Sequence, residues 1–159
     1  MVNSKKKGNR FELKIAKLLT EKTGVKWYRV PLSGAFATKQ GTKDIRFKGD
    51  IYTDDKYYNN IVIECKATKD RITLEDIYNI KSKLWKWIQQ SERESNNKQW
   101  LLFFKANNGK IFILENSKEN KDKQKIIEQI ISKHIIIELN SIFGKYCIYE
   151  VDTKWIKKN

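Results

Sequence analysis

The stretch Asn60–Thr68, NNIVIECKAT with its leading Asn59, constrains this chain more than any other. Ile61, Val62 and Ile63 form an unbroken β-branched apolar run, which suits a strand covered on both faces, yet Glu64 and Lys66 follow at once. Charges at the end of a covered strand must be paired, hydrated in a cleft or bound to something. Side chains alternate along a strand, so Val62, Glu64 and Lys66 share one face and Ile61, Ile63 and Cys65 the other. The Glu64 carboxylate and Lys66 ammonium are then expected roughly 6–7 Å apart.

The second carboxylate is Asp50, fourteen positions earlier in RFKGDIY, which reads as a short strand. The turn around TDDKYYNN separates it from the strand read over 60–67. A hairpin can set the two carboxylates side by side, where they repel unless a cation lies between them. Mg²⁺, which takes one or two carboxylates plus waters and substrate phosphate, fits that need, with the backbone carbonyl of Cys65 as a further ligand. Lys66 is suited to stabilise an attacking hydroxide or the charge developing on phosphorus. Together these groups outline a metal-assisted phosphodiesterase, with an exposed strand end carrying a surface ion pair as the bland alternative. Asp44 competes with Asp50 for the metal role, but it lies between Lys43 and Arg46, where a surface ion pair explains it.

Charge narrows the choice of partner. The chain has 159 residues, with 33 Lys and Arg against 19 Asp and Glu, a net charge of +14. Thirteen basic and three acidic residues fall within residues 1–48, so most of the surplus lies in the first third. Such a surplus points to a polyanion, nucleic acid before an anionic membrane. Lys5, Lys6, Lys7, Arg10, Arg29, Lys39 and Lys43 are the candidate phosphate contacts; a lysine-rich solvated surface is the bland alternative. No apolar run approaches the ~18 residues of a spanning helix, which gives the expectation of a soluble, cytoplasmic protein with no membrane partner. Cys65 and Cys147 make no disulfide framework. With His134 as the single histidine they lack zinc-site spacing, so any metal is a hard one held by oxygen.

The rest of the chain reads as one α/β domain over 1–159, a mixed sheet flanked by helices, with a core at about 8–115 and an appended α/β segment over 116–159. Phe11, Ile15, Leu18 and Leu19 repeat at helical spacing from Gly8, and Gly24 supplies the stop. Glu12 lies about 60° from the centre of that stripe and can look along the packed face. VKWYRV reads as a strand ended by Pro31, and a loop of small and polar residues follows. Thr73 caps one long helix to about Ser95. KQWLLFFKANNGKIFILEN is a hairpin about NNG. SKENKDKQ reads as a solvated turn, KIIEQIISK as a helix, and HIIIEL and KYCIYEV as strands. Trp85 and Trp87 can stack on bases or pack in the core.

Five motifs in order, GNRFE with Glu12, RVPLSG with Ser33, KGDI with Asp50, IECK with Glu64 and Lys66, and WKWIQQSERES, resemble the PD-(D/E)XK nucleases. The likeness is to the archaeal-type Holliday-junction resolvases and related phage endonucleases, and it covers about residues 8–106. It implies a restriction-endonuclease-like core, Mg²⁺ dependence with Mn²⁺ able to substitute, and cleavage leaving 5′-phosphate ends. Carried over, Asp50 and Glu64 hold the metal, Lys66 assists the water, and Glu12 binds a second metal or orients a ligand. Ser33 approaches the scissile strand, and Gln90, with Gln89 as rival, matches the glutamine of the phage group. Gly49 stands where the family has proline. The expected activity is a structure-selective DNA endonuclease resolving four-way junctions by paired nicks, as a homodimer acting on branched or duplex DNA. The alternatives are a restriction, nicking or repair nuclease of the same fold, or a non-catalytic DNA-binding module.

Overall fold

The computed structural model describes residues 4–31, 47–106, 109–131, 137–141 and 143–154. Its first element is helix α1, Ser4–Thr23, which buries Phe11, Ile15, Leu18 and Leu19 as the spacing predicts. Gly24, at φ +74°, ends it in the left-handed region that glycine enters most readily. Next come β1 (Tyr28–Arg29), β2 (Ile51–Tyr52) and β3 (Ile61–Thr68). Helices α2 (Leu74–Tyr78) and α3 (Lys83–Ser95) lead to β4 (Gln99–Ala106) and β5 (Ile111–Asn116). Helix α4 (Lys121–Ile130) and strands β6 (Ile137–Ser141) and β7 (Gly144–Glu150) complete the order.

The strands form one seven-stranded sheet in the order β1-β2-β3-β4-β5-β7-β6. Among the described strands β3 and β4 are the parallel pair, joined by the α2–α3 crossover that such a pair requires. The alternation predicted for β3 divides the core. Ile61, Ile63 and Cys65 pack with Phe11, Ile15, Ile126, Ile127 and Ile130, under α1 and α4. Val62 packs with Ile77, Leu84, Trp85 and Ile88, under α2 and α3. This is a mixed sheet covered by helices on both faces, the restriction-endonuclease-like architecture. The C-terminal elements are continuous with it: β7 extends the sheet from β5, and α4 shares the core beneath α1.

Several sequence-based boundaries are corrected. The helix expected from Thr73 to Ser95 is two helices. Thr73 does cap the first, in a capping box with Asp76, but the chain turns at Asn79, whose side chain accepts from the Lys81 amide at 3.0 Å. Ser82 then caps the second helix, and Trp85 Nε1 donates to Ile77 O at 2.7 Å across the corner. Leu74, Tyr78 and Ile80, read as part of one apolar stripe, are exposed. SKENKDKQ is not all turn, because Asn120 caps α4 at Lys121. Trp85 is core, edge-on to Tyr146 at 5.6 Å, and Trp87 leans on Phe104, so neither is a free base-stacking platform.

Candidate active site

The geometry of the site follows from how short β2 is. Its ladder with β3 reaches only Ile51 opposite Ile63, so β3 continues through Glu64, Cys65 and Lys66 without a β2 residue alongside. Asp50 fills the place of the missing strand. Its amide donates to Ile63 O at 2.8 Å, its carbonyl accepts from the Val30 amide at 2.8 Å, and its Oδ2 accepts from the Cys65 amide at 2.8 Å. This bond uses the Cys65 amide and is separate from the Cys65 carbonyl, the group that the sequence reading offers to a metal.

Gly49 makes this approach possible. It sits at φ +83°, and a Cβ there would lie 2.5 Å from Ile63 O. Only glycine tolerates both the dihedral and the contact. The departure from the family's proline therefore belongs to a differently shaped turn, one that delivers Asp50 to the same strand.

Glu64 is 2% exposed, and Lys66 Nζ lies 3.5 Å from its Oε2, closer than regular strand spacing suggested. Burial pushes the Glu64 carboxyl well above the ordinary carboxylate range, and the negative charge of Asp50 pushes it further, while Lys66 opposes both. Glu12 is buried beside them. Burial raises its carboxyl against the opposing hydrogen bond from Arg29, and the Asp50 charge contributes in the same direction. The Cys65 thiol is raised well above its usual range, by burial and then by Asp50, Glu64 and Glu12. Asp50 is thus the charge common to Glu12, Glu64 and Cys65, and Lys66 is the cation common to all three.

Among the described residues no group of three or more His, Cys, Asp or Glu forms a ready metal cage. Mg²⁺ needs no such cage, because one or two carboxylates with waters and phosphate suffice. Asp50, with one oxygen outside its bond to Cys65, and Glu64, whose ionisation Asp50 opposes, fit a divalent cation that would relieve their repulsion.

The other sequence candidates divide. Arg29 is turned inward: its Nε pairs with Glu12 Oε2 and its Nη2 donates to Asn9 Oδ1 at 2.8 Å, so it supports Glu12. Gln90 Nε2 donates to Glu94 Oε1 at 2.8 Å, whereas Gln89 is exposed beside a cavity lined by Trp85 and Glu92. Glu94 itself was missed. Its charge and a hydrogen bond to Glu64 favour the protonated form of that residue. The available signal was its place one helical turn after Gln90. Lys5, Lys6, Lys7 and Arg10 lie in the first two turns of α1, whose first turn holds no acidic residue. Cations in a helix's first turn oppose its dipole, and an anion bound there relieves that opposition. Ser33, Lys39, Lys43, Asp44 and His134 lie outside the described residues.

A family model described as phage putative PDDEXK endonuclease matches residues 3–157. Among curated proteins, Protein D14 of Escherichia phage T5 is 36% identical over 123 residues, 74% of this chain and 74% of its own length. No solved structure matches the chain. No helix among the described residues is long and apolar enough to cross a membrane.

Proposed function

This chain belongs to the phage putative PD-(D/E)XK endonuclease family, and from that premise we propose that it is a Mg²⁺-dependent, structure-selective DNA endonuclease that resolves four-way junctions. The observation that carries the catalytic part is the meeting of Asp50, Glu64 and Lys66 where β3 runs on beyond β2. The junction preference draws on the resemblance of the five motifs to the archaeal-type resolvases.

In this reading Asp50 and Glu64 hold Mg²⁺, which when bound supplies Lewis-acid stabilisation to the charge that builds on the phosphate. The Cys65 amide keeps the Asp50 carboxylate from rotating away, so one oxygen stays directed by the backbone. Lys66, already drawn toward Glu64, offers an ammonium to the attacking water and to the developing negative charge. Water adds to phosphorus, the P–O3′ bond breaks, and the products carry a 5′-phosphate and a 3′-hydroxyl. Glu12, steadied by Arg29, orients a ligand of the same centre. Gln90 acts at one remove, by positioning Glu94 against Glu64. Two matched incisions across a junction require two such sites, so the active form is a C2 dimer.

The test is cleavage of labelled four-way junction, plain duplex and single strand, with Mg²⁺ or EDTA, by the wild type and the Glu64→Ala protein. Paired, metal-dependent nicks in the junction alone, absent from the variant, are expected. Nicking of plain duplex makes it a nuclease of another substrate class, and binding without nicks under every condition leaves a DNA-binding module.

A further inference from the structure

Beyond Lys66 the end of β3 opens, on the α1 side of the sheet, into a cavity of about 520 Å³. Its walls carry Lys7, Arg10 and Lys14 of α1, Lys69 after β3, Lys83 of α3 and Lys105 of β4. The one carboxylate among the lining residues, Asp70, is paired with Lys83. Lys7, Arg10 and Lys14 recur at i, i+3 and i+7, so the helix presents all three along one stripe.

Lys105 is the centre of the arrangement. It lies opposite Ala67 in the parallel β3–β4 ladder, one residue past the level of Lys66. It is half-buried with its Nζ 5.2 Å from the centre of the Phe11 ring. Burial, then the like charges of Lys14 and Lys7, hold its ammonium below the ordinary lysine range. A surface lysine would swing away from two neighbouring cations into water. The wall of Phe11 keeps this one among them, a placement that costs stability unless an anion enters.

We propose that this cavity is a binding subsite for a backbone phosphodiester of the bound strand, distinct from the scissile phosphate, with Lys105 as its central contact. The identity of the anion rests on the nuclease reading; the existence of the subsite does not. Neighbouring strand residues face opposite sides of the sheet. A phosphate held by Lys105 on the α1 side therefore draws the nucleic-acid backbone across the open end of β3, past Lys66.

The experiment measures binding in EDTA, where no cleavage intervenes. Junction and duplex DNAs carrying a single neutral methylphosphonate linkage at successive positions are titrated with wild type, Lys105→Gln, Lys105→Arg and Lys14→Gln. Lys125→Gln, an exposed change on α4, is the control. Lys105→Gln is expected to make the dependence of log affinity on log salt shallower by about 0.9 on duplex, one phosphate contact. Lys105→Arg restores it and Lys125→Gln leaves it unchanged. One linkage, other than the one cleaved, should weaken wild-type binding when neutralised and have no further effect in Lys105→Gln. If Lys105→Gln does not fold, Lys14→Gln must show the same silenced linkage. An unchanged slope, or no silenced linkage, overturns the proposal. So does displacement of DNA by inorganic phosphate at an ionic strength where chloride has no effect, combined with silent linkages, since the cavity would then serve a free anion. Wild-type cleavage without a silenced linkage removes only the subsite. A silenced linkage without cleavage removes only the nuclease reading.

Discussion

The backbone amide of Cys65 donates to Oδ2 of Asp50 at 2.8 Å, so a side chain occupies the position where a neighbouring strand's carbonyl would otherwise stand. One carboxylate thereby closes the strand's hydrogen bonding and serves the proposed chemistry, and two substitutions separate those roles. Asp50→Asn retains an oxygen for the Cys65 amide and loses the charge. It should not lower the unfolding midpoint, and should raise it if anything, since the charge opposing Glu64 and Glu12 is gone. DNA affinity should persist while cleavage falls at least about a hundredfold, the upper range for disturbing a group that only supports a metal ligand. Asp50→Ala also leaves a buried N–H unpaired, which costs about 1–3 kcal/mol. Urea unfolding and junction cleavage, measured on both, check the split. Equal destabilisation by the two would show that the charge holds the fold.

Gly49 gives the second prediction. Restoring the proline of the family pattern should be harmful here, because proline fixes φ near −65° and Gly49 sits at +83°. Gly49→Ala meets Ile63 O as well as an unfavourable dihedral. Each change should cost about 1–3 kcal/mol, the usual penalty of forcing such backbone, with Gly49→Pro the worse. Cleavage should fall further than stability does, since the displaced residue is Asp50. A neutral Gly49→Pro protein in urea unfolding would contradict this account of the turn.

Arg29 was a candidate phosphate contact on sequence, and its pairing with Glu12 and Asn9 assigns it inward. Arg29→Gln removes the cation from a buried carboxylate and should destabilise by about 1–3 kcal/mol. The salt dependence of DNA binding should stay unchanged. A shallower salt dependence at unaltered stability would return Arg29 to the DNA surface.

The parts of this site legible in the sequence are those set by neighbours along the chain. The run Ile61–Ile63 ending in Glu64 announced a covered strand with a charged end, and the turn before it brought Asp50 alongside. The hairpin between β4 and β5 followed from alternation about a turn signal. What was not legible depends on contacts distant in sequence or on balances between local preferences. The break at Asn79–Ser82 is invisible to periodicity because the apolar spacing nearly continues through it, while an Asn turn and a Ser cap decide the matter. Arg29 looked like any basic residue until Glu12 lay seventeen positions away in sequence and adjacent in space. Glu94 drew no reading in the sequence, because its effect on Glu64, thirty positions away, exists only in the fold, where Gln90 also bonds it.

Lys123 was hidden for the same reason. It stands in a charged run that reads as solvated, yet it is 1% exposed, 2.6 Å from Glu115 Oε2 and bonded to Asn116 O at 2.7 Å. Tyr149 donates to the other Glu115 oxygen. Lys123→Met strands a buried carboxylate and should cost about 3–5 kcal/mol, whereas Lys123→Met with Glu115→Leu should recover most of it. Urea midpoints of the two proteins decide. A double variant as unstable as the single one would mean that Asn116, deprived of its donor, matters more than the ion pair.

Tyr146 ties β7 to α3 and gives the pH prediction. Its ring lies edge-on to Trp85 and tilted over Trp100, and its hydroxyl reaches Glu92 at 3.4 Å. Burial, then the charge of Glu92, pushes the phenol from 10 up to about 12. The folded state therefore keeps a proton that the unfolded chain releases first. The stabilisation is fully present below pH 10 and is lost as pH rises toward about 12, because ionisation then favours the unfolded chain. Tyr149 is raised in the same direction by burial and Glu115, so the contribution of Tyr146 is read as a difference between proteins. Tyr146→Phe should lose at most about 1.5 kcal/mol near neutrality, the worth of one hydrogen bond. Its thermal midpoint should then decline less steeply than the wild type's across that alkaline window. Parallel declines in the two proteins would mean that Tyr146 ionises as easily folded as unfolded, and that the packing of β7 against Trp85 is looser than the ring geometry indicates.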